Sequence, residues 1–333
     1  MKKISLRFLA GVITVTLAVV GIRLNAFAQS NGLGVTPKQS FTMRAGEQAS
    51  NVLYITNLNK TQPLNVRLNV VDFEASGETG AAKLLQASDQ PQTPWSLKPY
   101  ISLPNFVTVP AGESKPVQFT LKLPASLGAG TYYSAVEYIA STGSGQQQVS
   151  IAASTATLLF INVPGQVSEL MTVQDFGMST GGQNDKISSV FHKPPTFYSY
   201  RLKNSGNVAE QPAGSLIITN IFGKKVAHVD NANPKAQLAL IGQTRRFDGC
   251  NPKSTNTNDL PKDTNCIPMN LKPGFYTATL AVFYGQNGQE TRQIGATAHF
   301  WYLPWWFVIL SLAILALIVY AIYRLYHKIA RRR

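Results

Sequence analysis

Cys250 and Cys266 bracket the segment NPKSTNTNDLPKDTN, and the chain has no other cysteine. A stretch this polar cannot pack a core of its own, so in an oxidising compartment the two thiols are expected to join and staple it. Closing a loop of this length stabilises a fold by roughly 3 kcal/mol in the chain-entropy model. Residues 248–265 also carry Asp248, Asp259 and Asp263, which supply the oxygens calcium prefers. The D-x-[DN]-x-[DN]-G spacing is absent, so no metal ligand set is assigned, and whether this loop takes calcium stays open. Four histidines, His192, His228, His299 and His327, stand apart from any paired motif. There is no HExxH, GxSxG, Walker loop or CxxC. The residues therefore point to a non-catalytic protein without a cofactor. The alternative is an exported envelope enzyme, or an accessory of a transpeptidase or hydrolase, whose site assembles only in space.

Aromatic residues raise a binding question instead. Tyr133, Trp95 and Tyr100 are the candidate ligand contacts, the side chains of a sugar-stacking platform if they reach the surface. The competing reading is that they fill or edge a core.

A repeat positions them. LGAGTYYSAVEY (127–138) returns as LKPGFYTATLAVFY (271–284). With Gly130 set on Gly274, Tyr132 matches Tyr276, Ser134 matches Ala278 and Val136 matches Leu280. Residues two apart share one face of a strand, here the inward one, which puts Tyr133 on the opposite face and predicts it exposed. Upstream, 73 residues separate Asn57 from Gly130 and 70 separate Asn204 from Gly274. Near-equal spacing is what a duplicated unit gives. Tyrosine, small residue, aliphatic resembles strand F of immunoglobulin-like sandwiches, which implies that Tyr132 and Tyr276 are tyrosine corners. Ser134 and Ala278 stand where antibodies place cysteine, so no inter-sheet disulfide is expected. The runs LNVRLNV (64–70) and VQFTLKL (117–123) alternate strictly, as strands with one wet face do. Asn287-Gly288 is a hairpin-turn signal.

The ends fix the topology. A basic n-region, an apolar stretch and Ala26-Phe27-Ala28 read as a signal peptide over 1–28. Residues 304–323 carry no charge over 20 positions, about 30 Å of helix, which is the thickness of a bilayer core. Trp301, Tyr302, Trp305 and Trp306 flank one end, and Tyr320, Tyr323 and Tyr326 the other, as interfacial belts do. The tail 324–333 holds five basic residues and is expected in the cytoplasm. Leu303-Pro304 imitates a sortase signal, but Trp306 and Phe307 stand where threonine and glycine are needed. Of the formal net charge of +14, the signal peptide and tail account for nine, leaving +5 on 29–303. That is a mild bias, and it excludes a nucleic-acid stripe.

The expected architecture is all-β: two tandem immunoglobulin-like sandwiches, 29–164 membrane-distal and 165–303 membrane-proximal, followed by a single transmembrane α-helix. This layout, with LGVTP (33–37), AGE (45–47), Asn57 and GAGTYYSAV (128–136), resembles the WxL-interacting surface proteins of Gram-positive bacteria. The resemblance implies a single-pass cell-surface protein whose first unit binds cell-wall glycan (peptidoglycan). It implies that the second binds another surface protein or a host surface, a role in adhesion.

Overall fold

The computed structural model describes residues 32–85, 88–141, 151–181, 186–252, 266–285 and 291–331. The expected signal peptide, Asp259, Asp263, the Asn287-Gly288 turn, Arg332 and Arg333 lie outside the described residues. The chain is mostly β and ends in an apolar helix.

Its N-terminal half contains β1 (Leu33–Val35), β2 (Lys38–Thr42), β3 (Gln48–Asn57), β4 (Leu64–Val71), β5 (Phe73–Ser76) and β6 (Ala81–Leu84). These are followed by β7 (Ile101–Ser102), β8 (Phe106–Val109), β9 (Ser114–Lys122), β10 (Gly130–Ser141) and β11 (Ile151–Val163). Two sheets form, in the orders β1-β3-β9-β7 and β2-β11-β10-β4-β8, with β5 and β6 as a separate hairpin. Alternation decides their facing. Leu64, Val66 and Leu68 of β4 are buried, while Asn65 and Arg67 between them are exposed. The inward residues meet Leu53, Ile55, Val117, Phe119 and Leu121 of the facing sheet in one apolar cluster.

The C-terminal half contains β12 (Met171–Ser179), β13 (Val190–Phe191), β14 (Phe197–Asn204), β15 (Ala213–Asn220), β16 (Lys225–Val229), β17 (Thr244–Cys250), β18 (Gly274–Tyr284) and β19 (Arg292–Tyr302). Its sheets run β12-β14-β17 and β13-β19-β18-β15-β16 around a second cluster centred on Tyr198, Tyr200, Phe247 and Phe300. In both larger sheets a parallel edge strand (β2 on β11, β13 on β19) leads into the antiparallel pair that holds the repeated sequence.

The matched landmarks do matched work. Buried Asn57 donates from Nδ2 to the carbonyls of Gln62, Val109 and Pro110, and its Oδ1 accepts from the Asn59 N–H. Buried Asn204 donates to the carbonyls of Val208 and Ala239, and accepts from the Gly206 N–H. Each satisfies loop backbone that would otherwise be buried unpaired. The Tyr132 hydroxyl donates to the Gly128 carbonyl at 3.2 Å, and that of Tyr276 to the Lys272 carbonyl at 2.7 Å. Tyr276 is buried, but Tyr132 is only partly so, short of the burial that a tyrosine corner implies. Ser134 replaces the antibody cysteine with a polar tie: its hydroxyl donates to buried Asp72 and accepts from the Leu97 N–H.

Cys250 and Cys266 are disulfide-bonded. Helix α1 (Trp305–Ala330) runs past the expected span end at 323, and its Trp305–Lys328 stretch is long and apolar enough to cross a membrane. No residue of its most apolar window is buried inside the protein, as a bilayer-facing helix requires.

Tyr276 also accepts the Lys272 N–H at 3.1 Å, so Tyr276→Phe strands two backbone groups. The expected cost is about 1–3 kcal/mol, against less than about 1 kcal/mol for Tyr132→Phe, whose bond is exposed. Urea unfolding of the two full-length variants in detergent checks this order, and equal costs would contradict it.

Candidate functional site at the junction of the two halves

Around Tyr133 the outer face of the β2-β11-β10-β4-β8 sheet is not wet. Tyr133 is 4% exposed, which overturns the expectation of a free aromatic face. Alternation does send Tyr133 away from Tyr132, but the C-terminal half and the 92–95 segment cover that side. Its ring lies 5.1 Å from Phe73 and 5.6 Å from Phe160, centroid to centroid, and Leu240 closes the cluster from the other half of the chain. Burial, with nearby Asp72 adding to it, pushes the Tyr133 hydroxyl up to about 12.

Polar contacts seal the rim. Thr131 donates its N–H to the Asn207 carbonyl, and its hydroxyl accepts from the Ala209 N–H. Asn207 returns its side-chain amide to the Ala129 carbonyl. Gly130 sits at φ +149°, and a Cβ there would come within 2.8 Å of the Asn207 carbonyl, so only glycine fits both the backbone and the approach. On the opposite side the β5–β6 hairpin reaches across. Glu78 accepts from the Arg201 guanidinium at 2.7 Å, and its carbonyl accepts from the Arg246 N–H. Asp175 takes a second Arg201 nitrogen at 2.7 Å.

Two clefts flank this cluster. One, of about 350 Å³, is lined by Glu74, Gln92, Thr93, Trp95, Tyr133 and Gln243. Trp95 and Tyr133 are therefore neighbours, and the Tyr133 N–H donates to the Trp95 carbonyl. Tyr100 is not with them: it packs against the inner cluster of the N-terminal half, so the three candidates do not form one platform. Only Trp95, half-buried, remains able to present a ring to a ligand here.

The other cleft, about 270 Å³, is lined by Lys38, Ser40, Thr131, Phe160, Asn162 and Glu210, among others. The Lys38 ammonium sits 5.2 Å from the Phe160 ring centroid, and burial lowers its pKa. Glu210 is 3% exposed; burial first, then the neighbouring Glu169 carboxylate, push it up to about 7 against the Gly285 N–H and Arg292. One carboxyl oxygen of Glu210 has no partner among the described residues. No sequence signal marked Glu210, Lys38 or the Glu78–Arg201 pair, because each acquires its role from residues far away in the chain.

The histidines are engaged singly. His228 lies 3.1 Å from Asp230, and His299 Nδ1 lies 3.1 Å from the Thr277 hydroxyl. Among the described residues no group of three His, Cys, Asp or Glu is placed to hold a metal ion, and Asp248 accepts from Arg246.

No family model and no curated protein matches the chain. Among solved structures it is similar to a chaperone–tip adhesin complex of CFA/I fimbriae biogenesis, at 14% identity and a TM-score of 0.38, covering 81% of this chain and 98% of that one. It is similar to the class 5 fimbriae chaperone CfaA at 11% identity and TM-score 0.36, covering 81% and 99% of the two chains. It is also similar to the Pseudomonas aeruginosa CupB2 chaperone at 9% and 0.32, covering 79% and 97%. At these scores the likeness assigns no function.

The folded pKa of Glu210 lies above its ordinary 4.5. Its contribution to stability is fully present below about 4.5 and is lost as pH rises to about 7. Glu210→Gln should flatten that slope and raise stability at pH 8 by up to about 3 kcal/mol. Urea unfolding of both proteins from pH 4.5 to 8 checks it; an unchanged slope in the variant would contradict the assignment.

Proposed function

We propose that this chain is a membrane-anchored, non-catalytic cell-surface protein of the WxL-interacting type, with two tandem immunoglobulin-like sandwiches. In this reading the N-terminal half binds cell-wall glycan, the C-terminal half a further surface protein, and the basic tail is cytoplasmic. The observation that carries it is the cleft of Trp95, Gln92, Thr93 and Gln243: one half-buried indole beside side-chain amides and a hydroxyl. Such a set stacks on a sugar face while hydrogen-bonding its hydroxyls, which is how a binding site without catalytic groups orients a glycan. The repeated sheet order and the uncovered apolar helix support the tandem, anchored layout.

An envelope enzyme is the second reading, and Glu210 is the observation in its favour: a carboxyl pushed up to about 7 beside a cleft has the proton affinity of a general acid. Its burial speaks against it. A carboxyl 3% exposed, held by a backbone N–H, does not reach a substrate bond without opening the junction.

Retention of the protein on purified cell wall separates the two. Wild type should be retained, and Trp95→Ala should weaken retention about tenfold or more, the equivalent of about 1.4 kcal/mol. Absence of retention, or turnover of wall material that Glu210→Gln abolishes, would contradict the binding reading.

A further inference from the structure

The β15–β16 hairpin turns through Asn220, Ile221, Phe222, Gly223 and Lys224. Phe222 is 88% exposed, the most exposed large apolar side chain among the described residues, and Ile221 is 69% exposed. This is no slack loop. The Asn220 carboxamide oxygen accepts from the N–H groups of both Phe222 and Lys224, and Asn220 exchanges backbone bonds with Lys224 and Gly223. A tightly bonded turn that holds two large apolar side chains in solvent needs an apolar partner.

Strand register says where that partner lies. Asn220 pairs with Tyr276, which pairs with Phe300, and β15 and β19 run in the same direction. The tip therefore stands level with Tyr302 and Leu303, immediately before α1 begins at Trp305. Only β18 separates β15 from β19, so the tip lies about 10 Å to the side of the helix entry, two inter-strand spacings. The helix root is itself bonded to the body. Leu303 donates its N–H to the Phe191 carbonyl, His192 Nδ1 donates to the Leu303 carbonyl at 2.7 Å, and the His192 ring stacks on Trp305 at 4.2 Å.

The rest of that end has the same chemistry. Val190 and Trp301 are exposed at 46% and 45%, and Phe275 packs on Trp301. Lys193, Lys224, Lys225 and Lys272 are exposed around them, and the segments 190–193, 220–225, 271–275 and 300–305 contain no aspartate or glutamate. Apolar side chains ringed by lysines are the composition of a surface that enters the headgroup layer of an anionic bilayer.

We propose that Ile221 and Phe222 insert into the membrane interface beside α1, giving the C-terminal half a second lipid foothold. A single span leaves the body free to swivel about the helix; two footholds about 10 Å apart fix which face of the sandwich turns toward the bilayer. The inference rests on reading α1 as membrane-spanning, and its test reports on that reading separately.

The full chain is reconstituted into phosphatidylcholine–phosphatidylglycerol vesicles, with an environment-sensitive fluorophore on Lys224→Cys or, separately, on Ala316→Cys in mid-helix. Both native cysteines are in the disulfide, so labelling is confined to the new thiol. The label at 224 should shift to the blue and be quenched by nitroxide carried on lipid near the headgroups. Adding Ile221→Ser and Phe222→Ser, both in an exposed turn, should abolish that quenching while the label at 316 stays quenched. A label at 224 that stays in water while 316 is quenched overturns the proposal and spares the span. So does a buried label that lipid nitroxide does not quench, which would mark a protein contact or a second copy. Quenching at 224 that survives the double substitution overturns it as well. A label at 316 in water removes the span and the proposal together.

Discussion

Packing of the Tyr133 ring between Phe73 and Phe160, under Leu240, is the contact on which the arrangement of the halves depends. Burying one large apolar side chain contributes about 1.5–3 kcal/mol, so this cluster outweighs the partly exposed Glu78–Arg201–Asp175 pairs, worth about 0–1 kcal/mol each. The polar rim then sets geometry rather than strength. Asn207 can bond to Ala129 and Thr131 only because Gly130 lets the backbones approach, so the glycine that opens the repeat is needed for the junction as well as for the strand.

A junction packed this way places the chemistry. The clefts on either side of the cluster are made of residues from both halves, and their shape depends on the halves staying together. Glu210 stands at the same seam. Its carboxyl is held near neutrality because the contact excludes water, so opening the seam and charging Glu210 favour one another. At the far end of the C-terminal half, His192 and Leu303 join the sheet to α1, so the direction of the apolar helix is tied through bonded structure to the body that carries the clefts.

Much of this was legible in the sequence, for local reasons. Period-2 alternation over 64–70 and 117–123 names the inward faces, the paired Gly-x-Tyr segments name two equivalent strands, and a lone pair of cysteines leaves one pairing. Alternation also separates Tyr132 from Tyr133 correctly. What it cannot say is whether the second face meets water, because that depends on a covering layer 107 residues further along, at Leu240. Alternation alone therefore misplaces Tyr133, and aromatic type alone does not separate Trp95 from Tyr100, which the chain turns toward the other cluster. Glu210 was invisible because its neighbours Glu169, Gly285 and Arg292 come from three separate segments.

The central claim is that the halves form one body, and a distance across the junction tests it most directly. Ser50 on β3 and Lys203 on β14 are both exposed, one in each half. Spin labels on Ser50→Cys and Lys203→Cys in the full chain, read by double electron–electron resonance, should give one narrow distance that broadens when Tyr133→Ala is added. A broad distribution already present without that substitution would mean that the halves swivel independently, and would contradict the account.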